Sequence, residues 1–204
     1  SSPGCIVGRE YGRQRDRRRR TGRRPFNVMT TTQRTRASNV WAGYAACVWA
    51  LVFAAMSFYW AVGGMTGIGT QAASIQAAAR DPDAAFVAVL WATGVLKVAG
   101  AVLALALVRR WGRIIPRRLP RAAAWVSGIG MLLYGGVNFV VGVAVALLRA
   151  IDIINAPADT SAFWWHLLLW DPWWMLGGAL FSIAALSDQR RTRAESRATA
   201  AGRR

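Results

Sequence analysis

The stretch FWWHLLLWDPWWMLGGALFSIAAL, residues 163–186, decides the fold class. An apolar run of this length crosses roughly 30 Å of hydrocarbon at about 1.5 Å per residue, and a soluble core helix rarely needs it. Three more stretches of the same kind lie at about 40–62, 85–108 and 122–148. Together they predict an all-α integral membrane bundle of four transmembrane helices. The quoted stretch also holds what such a bundle accommodates least easily. His166, the sole histidine, and Asp171 sit among Trp164, Trp165, Trp170, Trp173 and Trp174, and a polar pair in a membrane span is costly unless the protein meets it.

Charge is segregated to match. The chain of 204 residues is 54% hydrophobic yet carries a formal net charge of +17. Of its 26 basic residues, 11 precede residue 38, six lie between Arg109 and Arg121, and six follow Ser187. The two remaining loops hold only Arg80 and Arg149. The positive-inside rule therefore predicts both the N and C termini to be cytoplasmic, in a multi-pass membrane protein. Residues 1–37 are Arg-rich without apolar periodicity and read as a disordered cytoplasmic tail. Residues 188–204 read as a second basic tail, outside a membrane domain of residues 38–187. Tails and loop are expected to meet anionic lipid headgroups. No aromatic interleaving or folded reader accompanies the arginines, so no nucleic-acid partner is expected. Met29-Thr-Thr-Thr-Gln reads as a natural start before the first span, which would make residues 1–28 a start-site artefact. The first span is too long for a signal peptide and lacks its small-residue cleavage site.

Other chemistries find little support. The two cysteines, Cys5 and Cys47, lie on different elements and form no C-x-x-C. A disulfide framework, a zinc site and a dithiol centre are thus unsupported. No metal-ligand cluster, nucleophile-and-base motif or phosphate loop is present, so neither a catalytic residue nor a cofactor is assigned. In the loop after the first span, Gln71 to Arg80 is predicted to form a short surface helix that ends before Pro82.

The second span carries Lys97, the only lysine, near its midpoint. Its helical neighbours Thr93, Gly94, Gly100 and Ala101 are small, the mark of a face where membrane helices approach closely, so Lys97 is expected to point into the bundle. Asn138 lies near the middle of the third span beside Tyr134, Gly135 and Gly142. Counting residues from the outer boundary puts Asp171 roughly 12 Å deep and Lys97 roughly 18 Å deep, with Asn138 between them and His166 and Tyr59 nearer the surface. A lysine stem spans several ångströms. The expected candidate ligand-binding cluster is therefore Lys97, Asp171, His166, Asn138 and Tyr59, with Lys97 and Asp171 paired. In an unbroken helix His166 and Asp171 would be about 140° apart, although a kink at Asp171-Pro172 would bring them closer. Trp60, Trp91, Trp170, Trp173 and Trp174 are either an interfacial belt or the walls of a flat apolar pocket.

The strings Ser57-Phe58-Tyr59-Trp60-Ala61-Val62-Gly63-Gly64, Trp91-Ala92-Thr93-Gly94-Val95-Leu96-Lys97 and Trp165-His166-Leu167-Leu168-Leu169-Trp170-Asp171-Pro172-Trp173-Trp174 occur in this order. In them the chain resembles an uncharacterised family of small four-helix integral membrane proteins from actinobacteria. The resemblance covers about residues 40–186. It implies the membrane location and the four-span fold, and no activity. Three functions remain in view. The leading one is a non-enzymatic membrane component that binds an amphipathic or lipid-like ligand, or a membrane partner protein or second copy of itself. The others are a membrane-interface enzyme using His166 and Asp171, and a subunit of a proton-coupled transporter using Lys97 and Asp171.

Overall fold

A computed structural model describes residues 40–153 and 160–203; the Arg-rich segment 1–37, with its expected disorder and start site, lies outside them. Among the described residues every regular element is helical. Helix α1 is Trp41–Ala61, α2 Ala73–Arg80, α3 Ala84–Val108, α4 Arg118–Ala150, α5 Thr160–Trp165 and α6 Asp171–Ala201. Single wide or tight turns at Ile68–Thr70, Arg110–Ile114 and His166–Trp170 join them. Among the described residues four helical segments are long and apolar enough to cross a membrane: α1, α3, α4, and α5 running through its wide turn into α6. The protein is a multi-pass membrane protein.

Local chemistry sets several boundaries. At the end of α1 the chain turns at Gly63, whose φ is +91°. There the Gly63 and Gly64 amides donate back to the carbonyls of Trp60 and Tyr59 at 3.0 and 2.9 Å. These two bonds satisfy carbonyls that a helix end leaves orphaned, and a side chain with a Cβ rarely adopts this φ. The Asp83 carboxylate caps α3 by accepting from the Phe86 amide at 2.7 Å. The short helix expected after the first span is present as α2, and it stops before Pro82.

The bundle is two tight antiparallel pairs, α1 with α3 and α4 with α6, joined mainly where α1 meets α6. In α1 the seam is a row of alanines four residues apart, Ala42, Ala46, Ala50 and Ala54, all buried, and Ala101 and Ala104 of α3 are buried with them. Small side chains let the backbones approach where lipid supplies no hydrophobic drive for association. Between the pairs, aromatic rings do the filling. Trp49 stacks on Trp173 at 5.8 Å between centroids, and its indole donates to the Trp173 carbonyl at 3.1 Å. Helices α3 and α4 touch only sparsely, and this asymmetry opens the cleft described below.

The fourth segment runs further than its apolar length, on to Ala201, because Ala-, Arg- and Glu-containing turns favour helix. Its charged extension is held by the start of α4. Arg121 grips Asp188 through Nε at 3.0 Å and Nη2 at 2.8 Å, and Arg117 reaches Glu195 at 3.3 Å. The first pair is the drier, with side chains 23% and 11% exposed against 33% and 58%. Arg121→Ala is therefore expected to lower stability by about 1–2 kcal/mol, since it leaves a nearly buried carboxylate without its donor. Arg117→Ala should change stability by less than about 0.5 kcal/mol. Thermal unfolding of both variants in one detergent checks the difference.

Candidate functional site

Lys97 enters the bundle from α3, as expected of its small-residue face, but its partners come from α1. Its ammonium donates to the Ser57 hydroxyl at 2.6 Å and sits 3.8 Å from the centroid of the Phe53 ring. Such a cation–π contact contributes about 0.5–2 kcal/mol. Phe53 and Ser57 are both buried. The expected Lys97–Asp171 pair is not formed: among the described residues the ion pairs are Arg117–Glu195 and Arg121–Asp188. The reason is packing. Helix α3 lies along α1 and only grazes α6, so the lysine stem meets the α1 side chains first. It follows that Lys97→Met and Asp171→Asn should act additively on stability, to within about 0.5 kcal/mol. A double-mutant cycle in thermal unfolding measures this directly.

Asp171 finds a different neighbour. The Asp171 amide donates to the His166 carbonyl, five residues back, in a π-type turn. The turn holds one residue more than an α-helical turn, so it carries His166 round toward Asp171 rather than leaving the two on separate faces. Among the described residues no hydrogen bond or ion pair joins the two side chains. Asp171 is only 5% exposed, and His166 Nε2 is buried without a hydrogen-bond partner among the described residues. The separation of about 140° in an unbroken helix does not apply here, because the winding changes just before the Asp171-Pro172 step, where a kink is the expected alternative. Pro172, which lacks an N–H and crowds the turn before it, is the residue signal for the widening.

Two expected members leave the cluster. Asn138 is exposed and its side-chain amide donates to the Tyr134 carbonyl of its own helix at 2.7 Å. Tyr59 turns to the loop instead, where its hydroxyl donates to Thr66 Oγ1 at 2.9 Å. Each satisfies its polar group locally, which costs less than reaching across the bundle. The polar set thus separates: Lys97 is bonded to Ser57, while Asp171 and His166 share only the backbone bond of the wide turn.

The tryptophans divide likewise. Trp91 is 47% exposed and pairs with Phe58. Trp60 and Trp170 pack together, and their indoles donate to the Thr66 carbonyl at 3.0 Å and the Thr70 hydroxyl at 3.1 Å. These two fasten the loop over the end of the bundle. Trp173 lies along a shallower groove with Tyr44 and Leu176. Only Trp174 of the expected five lines the main cleft.

That cleft runs between α3 and α4 and encloses about 720 Å³. Its floor is Trp49, Phe53, Trp174 and Phe181; one wall is Thr93, Leu96, Lys97, Gly100 and Leu103, and the other Ala123, Val126, Ser127, Gly130 and Met131. The volume lies within the range of small-molecule sites, which are mostly apolar with a few placed polar groups. Thr93 spends its hydroxyl on the Leu90 carbonyl at 3.0 Å, so Lys97 and Ser127 are the polar groups left for an occupant. The small face around Lys97 therefore serves two purposes. Gly94 and Ala101 are buried, Gly94 against the Phe58 ring of α1, while Thr93 and Gly100 border the cleft. Trp49, Phe53 and Ser57 escape a reading centred on the fourth span. Their spacing of four residues, which puts all three on one face of α1, is the signal that would have found them.

Fold and site together define a class: a four-helix membrane bundle with a lateral apolar cleft and a single lysine on its wall. The chain belongs to the family described as protein of unknown function (DUF3995), which matches residues 50–181. That match takes in every residue lining the cleft except Trp49. No curated protein and no solved structure matches the chain.

Proposed function

We propose that this protein is a non-enzymatic component of a bacterial plasma membrane that holds an amphipathic, lipid-like molecule in the cleft between α3 and α4. The apolar body lies along Trp49, Phe53, Trp174 and Phe181, and the polar head meets the Lys97 ammonium. One observation carries this reading. Lys97, in the middle of a membrane span, has a hydroxyl and an aromatic face as partners and no carboxylate among the described residues, and it opens onto the cleft between α3 and α4. A lysine at mid-membrane costs about 2.5–3.5 kcal/mol on insertion scales, and an anionic or hydrogen-bond-accepting head offsets that cost. In the same reading both termini and the arginine-rich loop are cytoplasmic and face anionic lipid, a placement that the charge distribution supports. The arginine-, alanine- and glycine-rich composition suits the high-GC genome of an actinobacterium.

Native mass spectrometry of protein extracted in mild detergent tests the proposal. The expected spectrum contains one retained amphipathic molecule per chain, released on unfolding. Protein that emerges without any such adduct, and takes up none from a lipid extract, would sink the reading. The buried, unpartnered His166 Nε2 on the same wide turn as the buried Asp171 favours a membrane-interface enzyme as the second reading. Its mark would be a chemically altered molecule released from the bundle.

A further inference from the structure

We propose that a second site, independent of the cleft, binds a phosphate group at the basic end of the bundle. A pocket of about 60 Å³ lies there where α3 ends, α4 begins and the extension of α6 passes. By volume it takes about four waters or one tetrahedral oxyanion. Arg109, Arg110, Arg117 and Arg191 line it, with Asp188 and Glu195. The two acids are already engaged, Asp188 by Arg121 and Glu195 by Arg117. Arg109, Arg110 and Arg191 have no carboxylate partner among the described residues. Arg109 leans over the Tyr44 ring at 5.6 Å. Arg191 donates through Nη2 to the Leu107 carbonyl at 2.9 Å, which occupies an acceptor that would repel an anion, while its Nε is buried without an acceptor among the described residues. A buried guanidinium N–H without a partner is a donor waiting for an oxygen. The fork geometry of arginine suits phosphate oxygens in particular.

The backbone shapes the same place. The turn Arg110–Ile114 folds back so closely that a Cβ on Gly112 would collide with the Ala106 carbonyl, so glycine there keeps Arg110 beside the pocket. The depth also fits. Apolar α3 stops at Val108 and the arginines begin at once, the level at which a lipid carries its phosphodiester. The chemistry recognised is thus a phosphate monoanion, presented by a phospholipid headgroup or free in solution.

The test uses the full chain in a neutral detergent. Native mass spectrometry reads retention of phosphatidylglycerol, and equilibrium dialysis reads inorganic phosphate in a separate arm. Arg110→Gln and Arg191→Lys should each weaken retention about tenfold, the effect of losing one charge-assisted hydrogen bond. Arg197→Gln, on the same helix but away from the pocket, should leave it unchanged. Retention of the lipid without phosphate assigns the group to a headgroup, and equal binding of phosphate assigns it to a free anion; both support the site. Binding of neither probe, an equal loss in Arg197→Gln, or no loss in either pocket variant overturns it. Arg110 is exposed and its side chain makes no hydrogen bond among the described residues, so its variant keeps the test decisive should Arg191→Lys fail to fold.

Discussion

Gly178→Ala is expected to cost about 3 kcal/mol, at the upper end of the usual range for overpacking a close contact. A methyl at this position would lie 2.7 Å from the Gly128 carbonyl and 2.7 Å from the Leu132 amide nitrogen. Both are backbone atoms of α4 and cannot swing aside as a side-chain tip can. The contact is reciprocal, since a Cβ on Gly128 would lie 3.1 Å from the Gly178 carbonyl. Helices α4 and α6 form one of the two tight pairs, so separating them by even a few tenths of an ångström loosens dispersion contacts along the whole seam. At about 2–4 °C per kcal/mol for a chain of this size, the midpoint of thermal unfolding should fall by roughly 6–12 °C. Gly136→Ala provides the internal control. It lies on the same helix as Gly128, but nothing stands within 4 Å of its added methyl. That variant should be neutral, or gain the few tenths of a kcal/mol by which alanine favours helix. Equal losses in both variants would show that α4 and α6 are not held by this backbone approach.

Lys97→Met should weaken retention of the amphipathic molecule at least about tenfold while leaving the bundle at least as stable as before. The two halves of that expectation have different causes. Methionine keeps the length of the side chain and its packing over Phe53, and it removes a charge that is expensive at this depth. The hydroxyl of Ser57 loses a donor, a small loss because helix hydroxyls readily turn to their own backbone. For the ligand, the only cation on the cleft wall disappears, and a charge-assisted hydrogen bond of about 1.5–3 kcal/mol goes with it. Affinity should then fall between tenfold and about 150-fold. The measurement is a thermal melt beside native mass spectrometry of the same preparation. A purely structural lysine would behave in the opposite way, with the melt falling and retention unchanged in whatever folded protein remained.

Much of this architecture is written along the chain. Length and hydropathy alone specify four membrane-spanning helices, because the bilayer demands about 20 apolar residues per helix and tolerates few exceptions. Gly63-Gly64, Asp83 and Pro82 mark helix ends through chemistry confined to a few residues. Lys97 can be placed inside the bundle from its small neighbours, since that inference needs only helical periodicity.

What periodicity does not carry is which helix lies next to which. Pairing Lys97 with Asp171 assumed that the second and fourth spans face each other closely, whereas the glycine and alanine seams commit α3 to α1 and α6 to α4. Those seams depend on backbone approach between distant segments, so a neighbour of Lys97 such as Ser57 is invisible until the pairs are assembled. Uniform winding was the second assumption, and the wide turn before Pro172 breaks it. The cleft itself is a product of tertiary structure alone. No residue encodes it; it exists because two pairs packed tightly within themselves leave α3 and α4 apart. The spans and the lone intramembrane lysine are properties of the sequence by itself, fixed by what a bilayer will accept. The partners of that lysine, and the space it faces, were decided only by how the helices pack.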